Sequence, residues 1–317
     1  MNREMEYVYM VYLLGSFSKA AQKLYVSQSA LSTAIKKLET RLNAPLFERK
    51  TQPVVLTPAG EFYIQSVKKI MMIQDDIDRY FASYSGSKGS IVFGSSSFFC
   101  AHIIPKLIIQ FQKEYSSDYN IELTEAQAPV LKKYLEDGIV DFTLTAEYFE
   151  NEEIKSIAYQ EEHIVLAVPI HYAINEELRY YALSFEDIRS KRYLDDRFEP
   201  ISLAHFQKEP FLLLKSNNEL YDRALKMCKK QRFFPKIEML LDQILTAYYI
   251  ANDGGGVTFI RDNLLSYVAP TSNLVFYKLD DPLSVRNLYI SYRKKESFSA
   301  LEKDFLEFLS MLTLRNA

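Results

Sequence analysis

Ser16-Phe17-Ser18-Lys19-Ala20-Ala21-Gln22-Lys23-Leu24-Tyr25-Val26-Ser27-Gln28-Ser29-Ala30-Leu31-Ser32-Thr33-Ala34-Ile35-Lys36-Lys37-Leu38-Glu39 is the stretch from which the rest of the chain can be read. Ser18 is a candidate N-cap for a short helix in which Ala20, Ala21 and Leu24 share a face, with two alanines small enough to admit a second helix. That helix is expected to end near Tyr25. Val26 and Ser27 fill a tight turn, and Ser27 caps a second helix from Gln28 to about Leu42, because Leu31, Ile35, Leu38 and Leu42 recur at helical spacing. The other face carries Gln28, Ser29, Ser32, Thr33, Lys36 and Lys37. Hydrogen-bonding groups come first and cations later, the order required of a helix that meets base edges in a major groove while its flanks meet phosphates. Pro45-Leu46-Phe47 then anchors a loop, and Glu48 to Val55 reads as a two-stranded wing with Arg49 and Lys50 at its tip. The pattern predicts a winged helix-turn-helix that binds double-stranded DNA.

Charge supports the same reading. Residues 1–60 contain eight Lys or Arg and four Glu, a net of +4, whereas the whole chain carries −3, so the remainder must carry −7. A basic head on an acidic body places the polyanion contact in the head.

The chain resembles the LysR-type transcriptional regulators. The resemblance rests on Ser16-Phe17-Ser18, Ala20-Ala21, Leu24, Val26 to Ser32, Ile35, Leu38-Glu39, Leu46-Phe47-Glu48-Arg49 and Leu56-Thr57-x-Ala59-Gly60. Two positions depart from the family's pattern: Thr33 stands where Arg is usual and Ser29 where Pro is common. The resemblance implies an α/β chain in three parts: a DNA-binding domain over 1–58, a linker and dimerisation helix over 59–86, and an effector domain over 90–317. It further implies a pseudo-palindromic operator, assembly to a homodimer or tetramer, RNA polymerase as a further partner, and no enzymatic activity.

With 317 residues and 48% hydrophobic content the chain is long enough for more than one core. The apolar run from Tyr7 to Leu14 could imitate a signal-peptide core. Glu4 and Glu6 precede it and the helix-turn-helix follows at once, so it reads as a buried first helix. No other segment is long and apolar enough to suggest a membrane span. Two cysteines, Cys100 and Cys228, lie far apart without metal-ligand spacing, which fits a reducing cytoplasm. Neither a metal nor a cofactor is expected.

Thr57 followed by Pro58 is a helix start, and the helix should run to about Tyr84, before Ser85-Gly86-Ser87. Tyr63, Val67, Ile70, Gln74, Ile77 and Phe81 form strict alternating steps of four and three, a heptad seam that a second copy would cover.

From Gly89 onward short aliphatic runs alternate with helical patterns, as in βαβ units around a mainly parallel sheet. Strands are expected at Ile91–Gly94, Ile121–Thr124, Phe142–Leu144, Ile164–Val168, Phe211–Leu214, Val257–Ile260, Val275–Leu279 and Leu288–Tyr292, and a single helix from Ser95-Ser96-Ser97 to about Tyr115. Leu135-x-x-Gly138-x-x-Asp141, Glu209-Pro210-Phe211 and Ala251-x-x-Gly254-x-Gly256-Val257 resemble the periplasmic-binding-protein-like effector domain of the same family. Its two α/β subdomains would span about 90–166 with 270–317, and about 167–269. The Ile174 to Pro200 segment is longer than that pattern requires.

Ser95, Ser96 and Ser97 precede one helix, and Lys215, Ser216 and Asn217 precede another. Two helix N-termini facing one cleft would bind an anion, so a small carboxylate effector is expected there. The resemblance adds Ala126, Gln127, Asp242, Gln243 and Thr258 as cleft-side positions. An enzyme or a solute-binding protein on the same α/β domain is the first rival. It does not need the basic head, and the four histidines have no catalytic or metal spacing. The second rival is a thiol-based redox sensor of the same family, because Cys100 begins a helix whose dipole could activate its thiol.

Overall fold

The structure, a computed structural model, describes every residue except 1, 49–52, 83–88, 116–118, 150, 217 and 317. Arg49, Lys50 and Asn217 therefore lie outside the described residues, as does the expected end of the linker helix. The chain forms two compact units, Met1–Lys88 and Gly89–Ala317.

In the first unit, α1 (Arg3–Leu14) starts at Asn2, whose side chain accepts from Glu4 N, and stops at Gly15 in the left-handed region. It sends Val8 and Val11 into the core while Leu13 and Leu14 stay exposed, so the apolar run is a helix of the head that is buried along one face. The α2 helix (Phe17–Lys23) is capped by Ser16 and not by Ser18: the Ser16 hydroxyl accepts from Lys19 N, while Ser18 sits exposed half a turn in. It closes earlier than Tyr25, with Tyr25 N donating to Gln22 O and Val26 N to Ala21 O. This double closure requires a left-handed residue, and Tyr25 supplies it at φ 55°. Then α3 (Gln28–Leu42) begins as expected at Ser27, whose hydroxyl accepts from Ala30 N. Leu31, Ile35 and Leu38 are buried, but Leu42, the last helical residue, is exposed.

Strands β1 (Phe47–Glu48) and β2 (Val55–Leu56) pair antiparallel with Phe47 opposite Leu56, which forms the base of the wing. Next, α4 (Pro58–Ala82) spans roughly 37 Å at the ordinary helical rise. Its cap ties it to the head: Thr57 Oγ1 donates to Pro45 O at 2.6 Å and accepts from Gly60 N at 3.0 Å. A Cβ on Gly60 would stand 1.9 Å from Leu46 O, so only glycine permits this close approach.

The second unit is built on β3 (Ser90–Ser95), α5 (Ser97–His102), α6 (Ile104–Tyr115), β4 (Asn120–Glu125), α7 (Ala128–Glu136), β5 (Phe142–Thr145), β6 (Ile154–Pro169), α8 (Ile174–Glu177), α9 (Phe185–Arg189), β7 (Pro210–Leu214), α10 (Glu219–Lys230), β8 (Lys236–Leu241), α11 (Ile244–Asn252), β9 (Val257–Arg261), β10 (Leu274–Lys278), β11 (Val285–Arg293) and α12 (Ala300–Asn316). The expected single helix after Ser96 is two, because Pro105 lacks the N–H that would carry the ladder across. The β8 strand was not expected. It lies at a sheet edge with its residues largely exposed, so the apolar alternation that marks a strand is blurred.

Strands run β4-β3-β5-β11-β6-β9-β7-β8, with β10 added on β6. The β3–β4, β3–β5, β7–β8 and β7–β9 pairs are parallel, and those of β6 and β11 are antiparallel. The long β6 strand joins two halves: Ile154–His163 pairs with β11, and Ile164–Pro169 pairs with β9 and β10. Because β10 belongs to the far half, the chain returns after Leu279, not at 270, and the expected subdomain limits need that correction. The long Ile174 to Pro200 segment wraps this half, with Leu183 bridging to Phe276, and Ile201 just beyond it to Leu279.

Candidate DNA-reading face and effector cleft

The α3 face expected to read DNA is open. Ser27, Gln28, Ser29, Thr33, Lys36 and Lys37 are exposed, and Ser32 is half-buried. Ser27 and Ser29 share a hydroxyl contact of 3.1 Å at the helix start. Arg41 is committed elsewhere, paired to Glu4 at 2.7 Å. Sequence reading missed Tyr25, which is 96% exposed immediately before the recognition helix. The signal available was its position between two capped helices; what was not visible is that the turn forces it into left-handed geometry.

The α4 seam keeps three positions of the heptad reading, Ile70, Ile77 and Phe81, as exposed side chains and departs from it at the N-terminal end. Val67 is only 1% exposed and Tyr63 is half-buried, so Val67 is not an open contact position. Ile70 (40%), Ile73 (60%), Ile77 (51%) and Phe81 (62%) form the exposed apolar stripe, with Phe62 at its start. Ile73 and Phe62 were missed because the heptad template selected one line of residues, while the head already covers part of that line at Tyr63.

In the second unit the expected cleft residues separate into two groups. Ser95 is fully buried and its hydroxyl donates to Leu144 O at 2.5 Å; Thr258 is buried and donates to Leu212 O at 2.9 Å. Neither offers a hydroxyl to a ligand, because each satisfies a strand carbonyl instead. Lys215 pairs with Asp242 at 2.7 Å, and Ser216 is exposed. The first turn of α10 carries Glu219 and Asp222, so among the described residues its helix dipole already faces two carboxylates. Gln243 Nε2 reaches Ser97 Oγ at 3.4 Å, and Ser97 donates to Glu125 at 2.6 Å, so these two close a polar link between α5 and α11.

What remains is a pocket between the halves, lined by Ser96, Ala126 and Gln127 from the expected set and by Glu147, Asn218, Glu219, Arg261 and Arg286. Under it lies a buried ionic network. Arg286 holds Glu162 Oε2 at 2.8 and 2.5 Å through Nε and Nη2, and its Nη1 binds Glu219. Arg223 takes the other Glu219 oxygen at 2.5 Å, and Asn263 takes Glu162 Oε1 at 3.1 Å. Burial works against the Arg286 charge, but Glu162 and Glu219 more than offset it and hold its pKa above the ordinary value. Arg261 is also buried, and burial pushes it down to about 10, with Glu162 opposing and Arg286 adding to the fall. Its guanidinium lies over Phe99 at 4.4 Å and Phe98 at 5.1 Å, and Glu162 is 3.6 Å from its Nε. None of these arginines is marked by spacing in the sequence.

Burial raises the Cys100 thiol to about 11, with Glu125 adding to it, and the Cys228 thiol to about 12. The expected activation of Cys100 by its helix is thus overridden by desolvation. Among the described residues, no group of His, Cys, Asp or Glu could hold a metal ion, and no helix is long and apolar enough to cross a membrane.

Comparison with known proteins agrees with this architecture. Residues 2–61 match the family described as bacterial regulatory helix-turn-helix protein, lysR family, and residues 85–312 match the LysR substrate binding domain. An uncharacterized HTH-type transcriptional regulator of Bacillus subtilis (strain 168), YcgK, is 28% identical over 96% of this chain and 94% of its own. A probable RuBisCO transcriptional regulator of Trichormus variabilis is 25% identical over 90% of this chain and 82% of its own. Among solved structures, CbnR, a LysR family transcriptional regulator, superposes with a TM-score of 0.64 at 18% identity, covering 98% of this chain and 99% of CbnR. CbnR in complex with its target DNA gives 0.63 at 17% identity over 98% of this chain and all of CbnR. These likenesses carry the fold, and the two family matches together span nearly the whole chain. The protein is a member of the LysR family of helix-turn-helix transcriptional regulators, a DNA-binding regulator and not an enzyme.

Proposed function

We propose that this regulator works as a dimer on a pseudo-palindromic operator in the cytoplasm, and that a small carboxylate-bearing effector in the cleft of the second unit controls it. The observation that carries the reading is the coexistence, in one unit, of an open polar row on α3 and an uncovered apolar stripe on α4. A monomeric helix in water has no reason to present Ile70, Ile73 and Ile77 together, and a second copy would cover them. Gln28, Ser29 and Thr33 would then read base edges, while Lys36, Lys37, Arg49 and Lys50 meet phosphates. Tetramer formation and contact with RNA polymerase extend the same reading from the family.

Salt-dependent gel shifts on an operator-bearing duplex test it. Gln28→Ala should relax sequence preference, and Lys36→Ala should weaken every duplex and lower the salt slope by about one. Indistinguishable behaviour of the two variants would defeat the assignment. The redox reading predicts loss of regulation in Cys100→Ser. The raised thiol pKa values argue against it, because at neutral pH hardly any thiolate is present to react.

A further inference from the structure

The charges lining the cleft pocket can be paired off, and two are left over. Arg286 is answered by Glu162 and Glu219, and Glu219 by Arg286 and Arg223. Arg261 is the first remainder. Its side chain is buried, its Nε and Nη1 make no hydrogen bond, and the carboxylate oxygen 3.6 Å away is the one Arg286 already binds. In the lining of the same pocket the Ser96 hydroxyl is buried and also without a partner. Glu147 is the second remainder: it lines the same pocket half-buried, and among the described residues no cation is bound to its carboxylate. Burial and the neighbouring Glu219 and Asp222 charges hold its pKa up, with only Lys132 acting in the other direction. One unmatched cation and one unmatched anion thus line a pocket that also holds the mutually paired Arg286 and Glu219, and whose remaining walls mix the apolar Phe99, Leu131 and Leu144 with the polar Gln127, Thr145 and Asn218.

Resting on the cleft reading above, we infer that the effector is a small amino carboxylate, whose carboxylate is held by Arg261 and Ser96 and whose ammonium group is held by Glu147. A plain carboxylate would satisfy Arg261 and leave Glu147 in a cavity closed by an anionic neighbour. An amine alone would leave the guanidinium unanswered. A zwitterion satisfies both without bringing net charge into the pocket, and buried charges are stable only when paired.

Thermal denaturation of the full-length protein with 2-aminobutyrate, 4-aminobutyrate, butyrate and butylamine tests this. One of the two amino carboxylates should raise the midpoint by about 3 °C or more at saturation, with butyrate and butylamine giving far less. Glu147→Gln should weaken the amino carboxylate on the order of tenfold or more and leave butyrate unchanged; Ser96→Ala should weaken both. Butyrate stabilising as well as its amino analogues, with Glu147→Gln responding like the parent, overturns the inference and leaves the cleft reading standing. No response to any of the four compounds overturns it too. In that case the cleft reading is judged separately, by whether the cleft-filling Ala146→Phe alters the operator footprint.

Discussion

Both units place hydroxyl and amide side chains at the starts of helices, and they use them in opposite directions. On α3, Gln28, Ser29 and Thr33 point away from a core that Leu31, Ile35 and Leu38 occupy, so the polar row stays available to DNA. In the effector unit, Ser95 and Thr258 turn inward to strand carbonyls, Lys215 is held by Asp242, and of the expected set Ser96, Ala126 and Gln127 line the pocket. A convex reading face is a property of one helix. A cleft is a property of several strand ends meeting, and a hydroxyl at any one of them can be spent on its neighbour.

The largest expected effect breaks the cleft side of this comparison. Arg286→Met removes a buried cation that neutralises both Glu162 and Glu219, and should destabilise the effector unit by about 3–5 kcal/mol in urea unfolding. Arg261→Met removes a buried cation that is poorly paired and lies beside a like charge, so it should be neutral or stabilising. Equal losses in the two variants would mean that Arg261 is a structural ion-pair partner and not a ligand group.

Next in size is the α4 stripe. Ile73→Asp with Ile77→Asp should dissociate the dimer in light scattering and weaken binding to a palindromic duplex by about a hundredfold, since the second half-site is then no longer tethered. Val67→Asp is expected to lower the melting temperature instead, because that side chain is already buried within one chain. If Val67→Asp dissociates a well-folded dimer and the double variant does not, the seam runs through Val67 and not through the exposed stripe.

A smaller contrast sits within one serine run. Ser95→Ala should cost about 1 kcal/mol, because it leaves the buried Leu144 carbonyl without its donor. Ser96→Ala removes an unsatisfied hydroxyl and should leave stability unchanged or slightly higher, as read by chemical denaturation.

The smallest is Tyr25→Gly, which relieves a left-handed tyrosine and should stabilise the head by about 1 kcal/mol while weakening operator binding. Unchanged DNA affinity would remove Tyr25 from the reading face.

The head was legible because its signals are local. Ser27 before Gln28, the Leu31–Ile35–Leu38 stripe and Thr57-Pro58 each act within one turn of helix, and each stands where the spacing put it. Ser16 in place of Ser18 as cap is an error of one half-turn between two chemically equivalent residues. The strands of the effector unit were legible for a related reason, since buried strands are runs of aliphatic residues bounded by turns. The exposed edge strand β8 lacked that signature.

Helix identity, the basic head, the order of α and β elements and the family itself were determined by the sequence, because capping, periodicity and net charge are fixed by residues near one another in the chain. Three things were decided only by tertiary structure: that Val67 of the α4 seam is covered within one chain, which hydroxyls in the cleft are already committed, and that Arg261 and Glu147 line one pocket. The residues concerned are separated by dozens to more than a hundred positions, and their meeting depends on β6 crossing between two halves of a sheet. A buried guanidinium acquires its meaning from the carboxylates that reach it and those that do not, and no local pattern records that.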